Sequence, residues 1–180
     1  MHFSRMILQL LKSRRRPCQG LWDASRLSLR VLPTEIDIFG HVNNGMYFSI
    51  MDLGRLDMMV RSGVWKTLQS KGWSGVVSAE TISFRKSLRL GHRYDIDTRL
   101  IGVDGRTVFF EHRIVVDDEI FARAYVGTRL TAKSGTITRD DMIEVFGAPP
   151  EDLELPDWLI EWSRNNSLPS RRQPAPHDWR

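Results

Sequence analysis

Cysteine occurs once in the chain, at Cys18, which excludes an internal disulfide and any metal site built from several thiolates. That usage fits a reducing compartment, and a cytoplasmic location is the expectation. No G-x-S-x-G elbow is present, so a serine hydrolase of the usual kind is not expected. The absence of G-x-G-x-x-G and of a P-loop argues against dinucleotide and Walker-type nucleotide sites. Five histidines occur, His2, His41, His92, His112 and His177, without H-E-x-x-H spacing, so no metal is expected. His92 and His112 read as surface or sheet-face residues. Long hydrophobic runs are missing too. The stretch "MILQLLK" falls far short of the roughly 20 apolar residues that span a bilayer. No small-residue cleavage site follows it. What it leaves open is a short peripheral helix, lying on a membrane or on a neighbouring subunit.

The 180 residues suffice for one domain with a sizeable core, and 41% hydrophobic with 27% charged content is ordinary for a globular chain. The net charge of +4 is unevenly spread. Arg14, Arg15 and Arg16 lie near one end, and Arg171, Arg172 and Arg180 near the other. Solvated tails are one reading; attraction to anionic phosphates, on a ligand or a membrane surface, is the other. No nucleic-acid motif accompanies them, so nucleic acid is not an expected partner.

Periodicity divides the chain. Residues 1–24 read as an N-terminal arm. "RLSLRVLP" alternates, with Leu27, Leu29 and Val31 on one face, as a half-buried strand does. Tyr47, Ile50, Met51, Gly54 and Met58 then recur at helical spacing, predicting a helix from about Asn44 to Ser62. Asn43 or Asn44 is its N-cap and Gly63 its stop. Glycine inside a helix costs about 1 kcal/mol relative to alanine, so Gly54 signals close approach of another element. A short helix is predicted over Val64 to Lys71.

Beyond Gly75 the period becomes two. "VVSAETISF" is a strand with imperfect alternation. "RYDIDTRLI" places Tyr94, Ile96, Thr98 and Leu100 on one face, and "TVFFEHRIVV" does the same with Val108, Phe110, His112, Ile114 and Val116. Turn signals at Asp104-Gly105 and Asp117-Asp118 join these to the strand "IFARAYVGTRLTA". The order predicts an α+β fold, an antiparallel sheet with one long helix packed across it. "TRDDMIEVF" and "LPDWLIEWSRN" read as short helices, the first capped by Thr138, before a polar proline-containing tail. Residues 25–148 form the expected domain, and 149–180 a C-terminal helix and tail.

One stretch concentrates polar chemistry: "DIFGHVNNGMYF", Asp37 to Phe48, just where the long helix begins. A helix start carries unpaired N–H groups and about half a positive charge, enough to polarise a carbonyl. Asp37 opens the preceding loop. Its carboxylate could attack an electrophilic acyl carbon or deprotonate a water that does so, and a thioester suits either route. Gly40 would let backbone approach a substrate. Each residue also has a structural reading: Asp37 as a turn acid, His41 as a loop organiser, Asn43 and Asn44 as caps, and Tyr47 as packing. Spacing alone supports an anion or carbonyl site at a helix start.

The pattern D-x-x-G-H-V-N-N-x-x-Y, filled by Asp37, Gly40, His41, Val42, Asn43, Asn44 and Tyr47, resembles the hotdog-fold thioesterases of the 4-hydroxybenzoyl-CoA thioesterase type. Asp52, Gly54 and Arg55 continue the helix as in that family. "RVLPTEIDIFGHVNNGMYF", "SFRKSLRL", "TRLIGVDGR" and "LPDWLIEW" are more closely similar to the thioesterase superfamily member six-like group, whose biochemical role is loosely defined. Together the resemblance covers roughly residues 25–165.

The resemblance implies a long helix wrapped by a curved antiparallel sheet, with two subunits joining their sheets as a homodimer, or further as a tetramer. It implies acyl-CoA thioesterase activity, with coenzyme A entering as part of the substrate and no separate cofactor. Asp37 would be nucleophile or general base, the backbone N–H of Asn44 would polarise the thioester carbonyl, and His41 and Asn43 would organise the loop. Gly40, Tyr47, Arg85, Lys86 and Arg89 are the candidate substrate contacts, the basic ones for coenzyme A phosphates. Two alternatives stand beside this: a non-catalytic acyl-CoA or lipid binder using the same groove and, ranked last, a hotdog dehydratase or hydratase.

Overall fold

The computed structural model describes residues 2–169 and 173–177. Arg171, Arg172 and Arg180, assigned above to a basic tail, lie outside them. The elements are α1 (His2–Ser13), β1 (Ser25–Arg30), a 3-10 turn (Pro33–Glu35), α2 (Asn44–Arg61), α3 (Val64–Ser70), β2 (Trp73–Phe84), β3 (Arg93–Asp104), β4 (Thr107–Val116), β5 (Glu119–Ala132), α4 (Arg139–Phe146) and α5 (Asp157–Asn165).

The five strands form one antiparallel sheet in the order β1-β3-β4-β5-β2. Tight hairpins join β3 to β4 and β4 to β5. At the second, Asp117 and Asp118 both adopt positive φ, 49° and 60°, the twist a two-residue hairpin demands. The imperfect alternation of β2 has a structural cause, a register shift between Val77 and Ala79 against β5, as an inserted residue produces.

The 18 residues of α2 lie across the inner face of the sheet. Tyr47, Ile50, Met51 and Met58, the stripe read from the sequence, are all buried. Gly54 is where helix and sheet come closest. A Cβ there would lie 2.6 Å from Thr98 Oγ1 and 2.8 Å from Ile96 Cγ2, so only glycine admits this approach. His112 is on the sheet face, and that face is the inner one: the ring is fully buried, with Nδ1 2.9 Å from Thr98 Oγ1. Burial holds its pKa well below the ordinary value, with the Arg55 charge acting the same way.

The opposite sheet face is partly roofed by the C-terminal segment. Leu159 of α5 packs with Ile101 and Phe109, and Trp158 meets the Tyr125 ring edge-on at 5.2 Å. Thr138 caps α4 in a capping box with Asp141.

The segment expected as an arm is helical over His2–Ser13 and is fastened to α2. Asp57, fully buried in α2, accepts hydrogen bonds from Ser13 Oγ at 2.7 Å, Arg16 at 2.5 Å, Ser25 Oγ at 3.2 Å and Arg61 at 3.3 Å. Gln9 reaches the same carboxylate at 3.3 Å. Near the other end of α1, Arg5 pairs with the buried Glu35. These contacts satisfy two carboxylates that would otherwise be unpaired in the interior.

Candidate active site

The segment before α2 is built largely by backbone pairing. Pro33, with φ already helical, opens the 3-10 turn. Glu35 Oε2 accepts the Leu32 N–H at 2.8 Å, and the Glu35 carbonyl accepts the Asn43 N–H at 2.9 Å. Ile36 and Val42 face each other across an antiparallel bridge, so residues 37–41 form a closed loop. The Asp37 N–H donates to the His41 carbonyl at 2.8 Å, and the Gly40 N–H to the Asp37 carbonyl at 3.1 Å.

Inside that loop, Asp37 Oδ1 accepts the N–H groups of Phe39 at 2.9 Å and His41 at 3.4 Å. One carboxylate oxygen thus fixes the turn, as aspartate does in loops. The other has no hydrogen-bond donor among the described residues. Gly40 adopts φ +77°, and a Cβ there would meet nothing within 4 Å. Its role is the left-handed turn, with open space beside it.

Asn43 is the N-cap of α2, its side chain accepting the Gly45 N–H at 2.9 Å. Asn44 is therefore the first helical residue, and its N–H has no acceptor among the described residues. A turn-fixed carboxylate and an unclaimed helix-start N–H flank the same short connection, with Ile38 and Phe39 projecting from its tip, 93% and 75% exposed.

The remaining candidates separate. Arg89 pairs with His41 across a second bridge, and Val42 donates to the Leu88 carbonyl at 2.9 Å. Arg89 therefore reaches the loop, through residues 85–92. His41 organises the loop with its backbone rather than its ring, which makes no hydrogen bond among the described residues. The loop is short enough for its own amides to pair. Tyr47 is buried, and its hydroxyl accepts the Leu88 N–H at 3.2 Å, so it braces the connection instead of facing a ligand. Burial raises its pKa. Arg85 and Lys86 are both engaged on Glu119, Arg85 at 2.6 Å, and together they hold that carboxyl below its ordinary value. Two of the three proposed phosphate-binding cations thus already have a partner within the chain.

Sequence reasoning did not reveal a cavity of about 310 Å³ beside the C-terminal half of α2. Met58, Leu68, Val77, Phe110, Thr128 and Leu130 line it. Asp52 and Arg55 sit at its edge as an ion pair, the guanidinium 5.8 Å from the Phe110 ring centroid. Burial raises the pKa of Glu80, with Arg55 opposing and Asp52 adding to the shift. The lining comes from α1, α2, α3, β2, β4, β5 and α4, with Leu21 from the connection before β1, so no local spacing could have announced it. It is an apolar space with few polar groups, the usual character of a small-ligand pocket.

Residues 31–163 match a family model described as the thioesterase-like superfamily. The chain is 30% identical over 173 residues to Protein THEM6 of Xenopus laevis, spanning 95% of this chain and 83% of that protein. With Protein THEM6 of Drosophila melanogaster it shares 25% identity over 124 residues, 68% of this chain and 62% of the fly protein. Among solved structures, the YbaW probable thioesterase of Escherichia coli superposes with a TM-score of 0.64 at 17% identity, over 68% of this chain and 96% of that one. This last likeness shows a shared hotdog fold.

Proposed function

The chain belongs to the thioesterase-like superfamily, and from that premise we propose that it hydrolyses an acyl-CoA thioester to the free acid and coenzyme A. The observation that carries this reading is the Asp37 carboxylate. One oxygen is immobilised by two backbone N–H groups, and the other has no donor among the described residues, just before a helix-start N–H that has no acceptor among them.

Two routes use these groups. Asp37 adds to the acyl carbon, the carbonyl oxygen gathers negative charge against the Asn44 N–H, and coenzyme A leaves as thiolate. Water then cleaves the mixed anhydride and regenerates the carboxylate. Alternatively, Asp37 takes a proton from water as the resulting hydroxide adds to the carbonyl, and the thiolate departs and is protonated. Both end in one acid and one thiol. His41 and Asn43 hold the loop and cap the helix, and Gly40 leaves room for the thioester. Arg89 is the cation of choice for a coenzyme A phosphate, since Arg85 and Lys86 are paired with Glu119.

The working unit in this reading is a homodimer. β2 is an edge strand with Val76, Val77 and Phe84 exposed, a row of unpaired backbone groups that a second sheet would satisfy. A partner subunit would also cover Ile38 and Phe39 and close the site from outside. A tetramer is the larger alternative.

A second reading rests on the same carboxylate. Because Asp37 already serves its own turn, the groove would also suit a protein that binds acyl-CoA without cleaving it. A panel of acyl-CoA thioesters with free-thiol detection separates the two. Thiol release above the buffer rate supports hydrolysis; saturable binding without thiol supports the binder.

A further inference from the structure

Helix α1 is turned inside out relative to an ordinary surface helix. Its inward side is polar. Arg5, Gln9 and Ser13, spaced by four, lie on one stripe and reach the buried carboxylates Glu35 and Asp57. Its outward side is hydrocarbon: Ile7 is 44% exposed, and Leu8 and Leu11 are each 52% exposed. Amphipathic helices of globular proteins place these sides the other way round. Scattered exposed leucines need no explanation, but three on one arc of a short helix form a patch awaiting a cover.

Charge identifies the cover. The first 22 residues contain no Asp or Glu and five Lys or Arg: Arg5, Lys12, Arg14, Arg15 and Arg16. Arg5 and Arg16 are consumed by Glu35 and Asp57. Lys12, Arg14 and Arg15 are exposed and have no carboxylate partner among the described residues. Arg14 and Arg15 lie in the turn that directly follows Ser13, the last residue of the helix, one turn beyond Leu11. Apolar side chains thus lead into a cluster of uncompensated cations.

We propose that α1 seats the protein on an anionic lipid surface, with Ile7, Leu8 and Leu11 entering the headgroup boundary and Lys12, Arg14 and Arg15 meeting lipid phosphates. A second copy of the chain suits this face poorly. An isologous contact would set each cationic cluster close to its own mate. The helix lies on the surface and does not cross it, because 12 residues extend only about 18 Å at 1.5 Å per residue, against a core of roughly 30 Å. Met6, on the flank of α1, lines the 310 Å³ cavity, so docking brings that apolar space beside the lipid. The proposal does not depend on whether Asp37 turns over a thioester.

The test is flotation of the full chain with phosphatidylcholine vesicles, with and without phosphatidylserine, at low and high salt. The expected result is binding to the phosphatidylserine vesicles alone, lost at high salt. Replacing the three cations together (Lys12→Gln, Arg14→Gln, Arg15→Gln) lowers the partition roughly a hundredfold. Leu8→Ser with Leu11→Ser lowers it at least about tenfold. Neither set moves the thermal midpoint, because the altered side chains are exposed. Absence of binding to anionic vesicles, or binding that both variants retain, overturns the proposal. So does a Leu8→Ser, Leu11→Ser protein that loses oligomer mass in sedimentation without any wild-type vesicle binding, which would make this face a subunit contact.

Discussion

The Tyr47 hydroxyl accepts the Leu88 N–H at 3.2 Å, joining the first turn of α2 to the connection between β2 and β3. That connection carries Arg89 alongside His41, so a core hydrogen bond determines where the loop at the candidate site rests. The Phe84 ring meets Tyr47 edge-on at 5.0 Å and steadies the same junction.

Tyr47→Phe should therefore destabilise the protein by about 1–3 kcal/mol, because it leaves a buried N–H without an acceptor. Urea denaturation reads this directly. The rate on a saturating thioester should fall much less than for changes at Asp37.

Asp37→Asn keeps an oxygen for the Phe39 and His41 N–H groups and removes only the charge. Hydrolysis should drop by roughly 10²-fold or more with the melting temperature nearly unchanged. Asp37→Ala, which also removes the turn acceptor, should lose stability as well. An Asn variant that hydrolyses at the wild-type rate would refute the role assigned to the carboxylate.

Gly54→Ala pits two effects against each other. Helix propensity favours alanine by about 1 kcal/mol, but its Cβ would lie 2.6 Å from Thr98 Oγ1. Overpacking typically costs about 1–3 kcal/mol, and the Thr98 bond to His112 restricts relaxation. Net destabilisation is expected in a denaturant titration, and a stabilised variant would contradict the packing described.

Asp57→Ala should cost about 3–5 kcal/mol, since it strips Arg16 and Arg61 of their carboxylate. The amides of α1 should lose hydrogen-exchange protection before those of β3 and β4. Equal loss across the molecule would mean that α1 is held by something else.

His112 makes stability depend on pH. The unfolded chain takes up a proton near pH 6.5, whereas burial keeps the native ring neutral to well below that value. Its contribution is present above about pH 6.5 and is lost as pH falls from there toward the native pKa. The slope is at most about 1.4 kcal/mol per pH unit. Denaturant midpoints measured across this range should fall for the wild type and fall less steeply for His112→Asn.

Local periodicity exposed most of the elements. The α2 stripe, the Asp117-Asp118 turn and the Thr138 cap each depend on residues a few positions apart, where sequence spacing is itself the physics; Gly54 showed that something comes close, but not that Ile96 and Thr98 do. The place of β2 beside β5 was not legible, because that pairing closes over an intervening hairpin and no turn signal marks it. Nor was α1 readable as part of the body. Its buried side is the polar one, which hydrophobic patterning assigns to solvent.

At the candidate site the same divide holds. Asp37, Gly40, Asn43 and Asn44 are near neighbours in sequence, so their association could be read directly. Arg85 and Lys86 looked equivalent to Arg89 until Glu119, more than 30 residues away, proved to hold both. The cavity beside Met58 and Phe110 draws its lining from seven elements spread along the sequence and exists only in the folded chain.

The joint between α1 and the body has a thermal consequence. Hydrocarbon contacts raise the heat capacity of unfolding and weaken on cooling, whereas polar contacts contribute with the opposite sign. Arg5, Gln9, Ser13 and Arg16 make this joint largely from polar groups. Detachment of the helix alone should therefore absorb little heat capacity, and the fastening should tighten, relative to the core beneath α2, as the temperature falls.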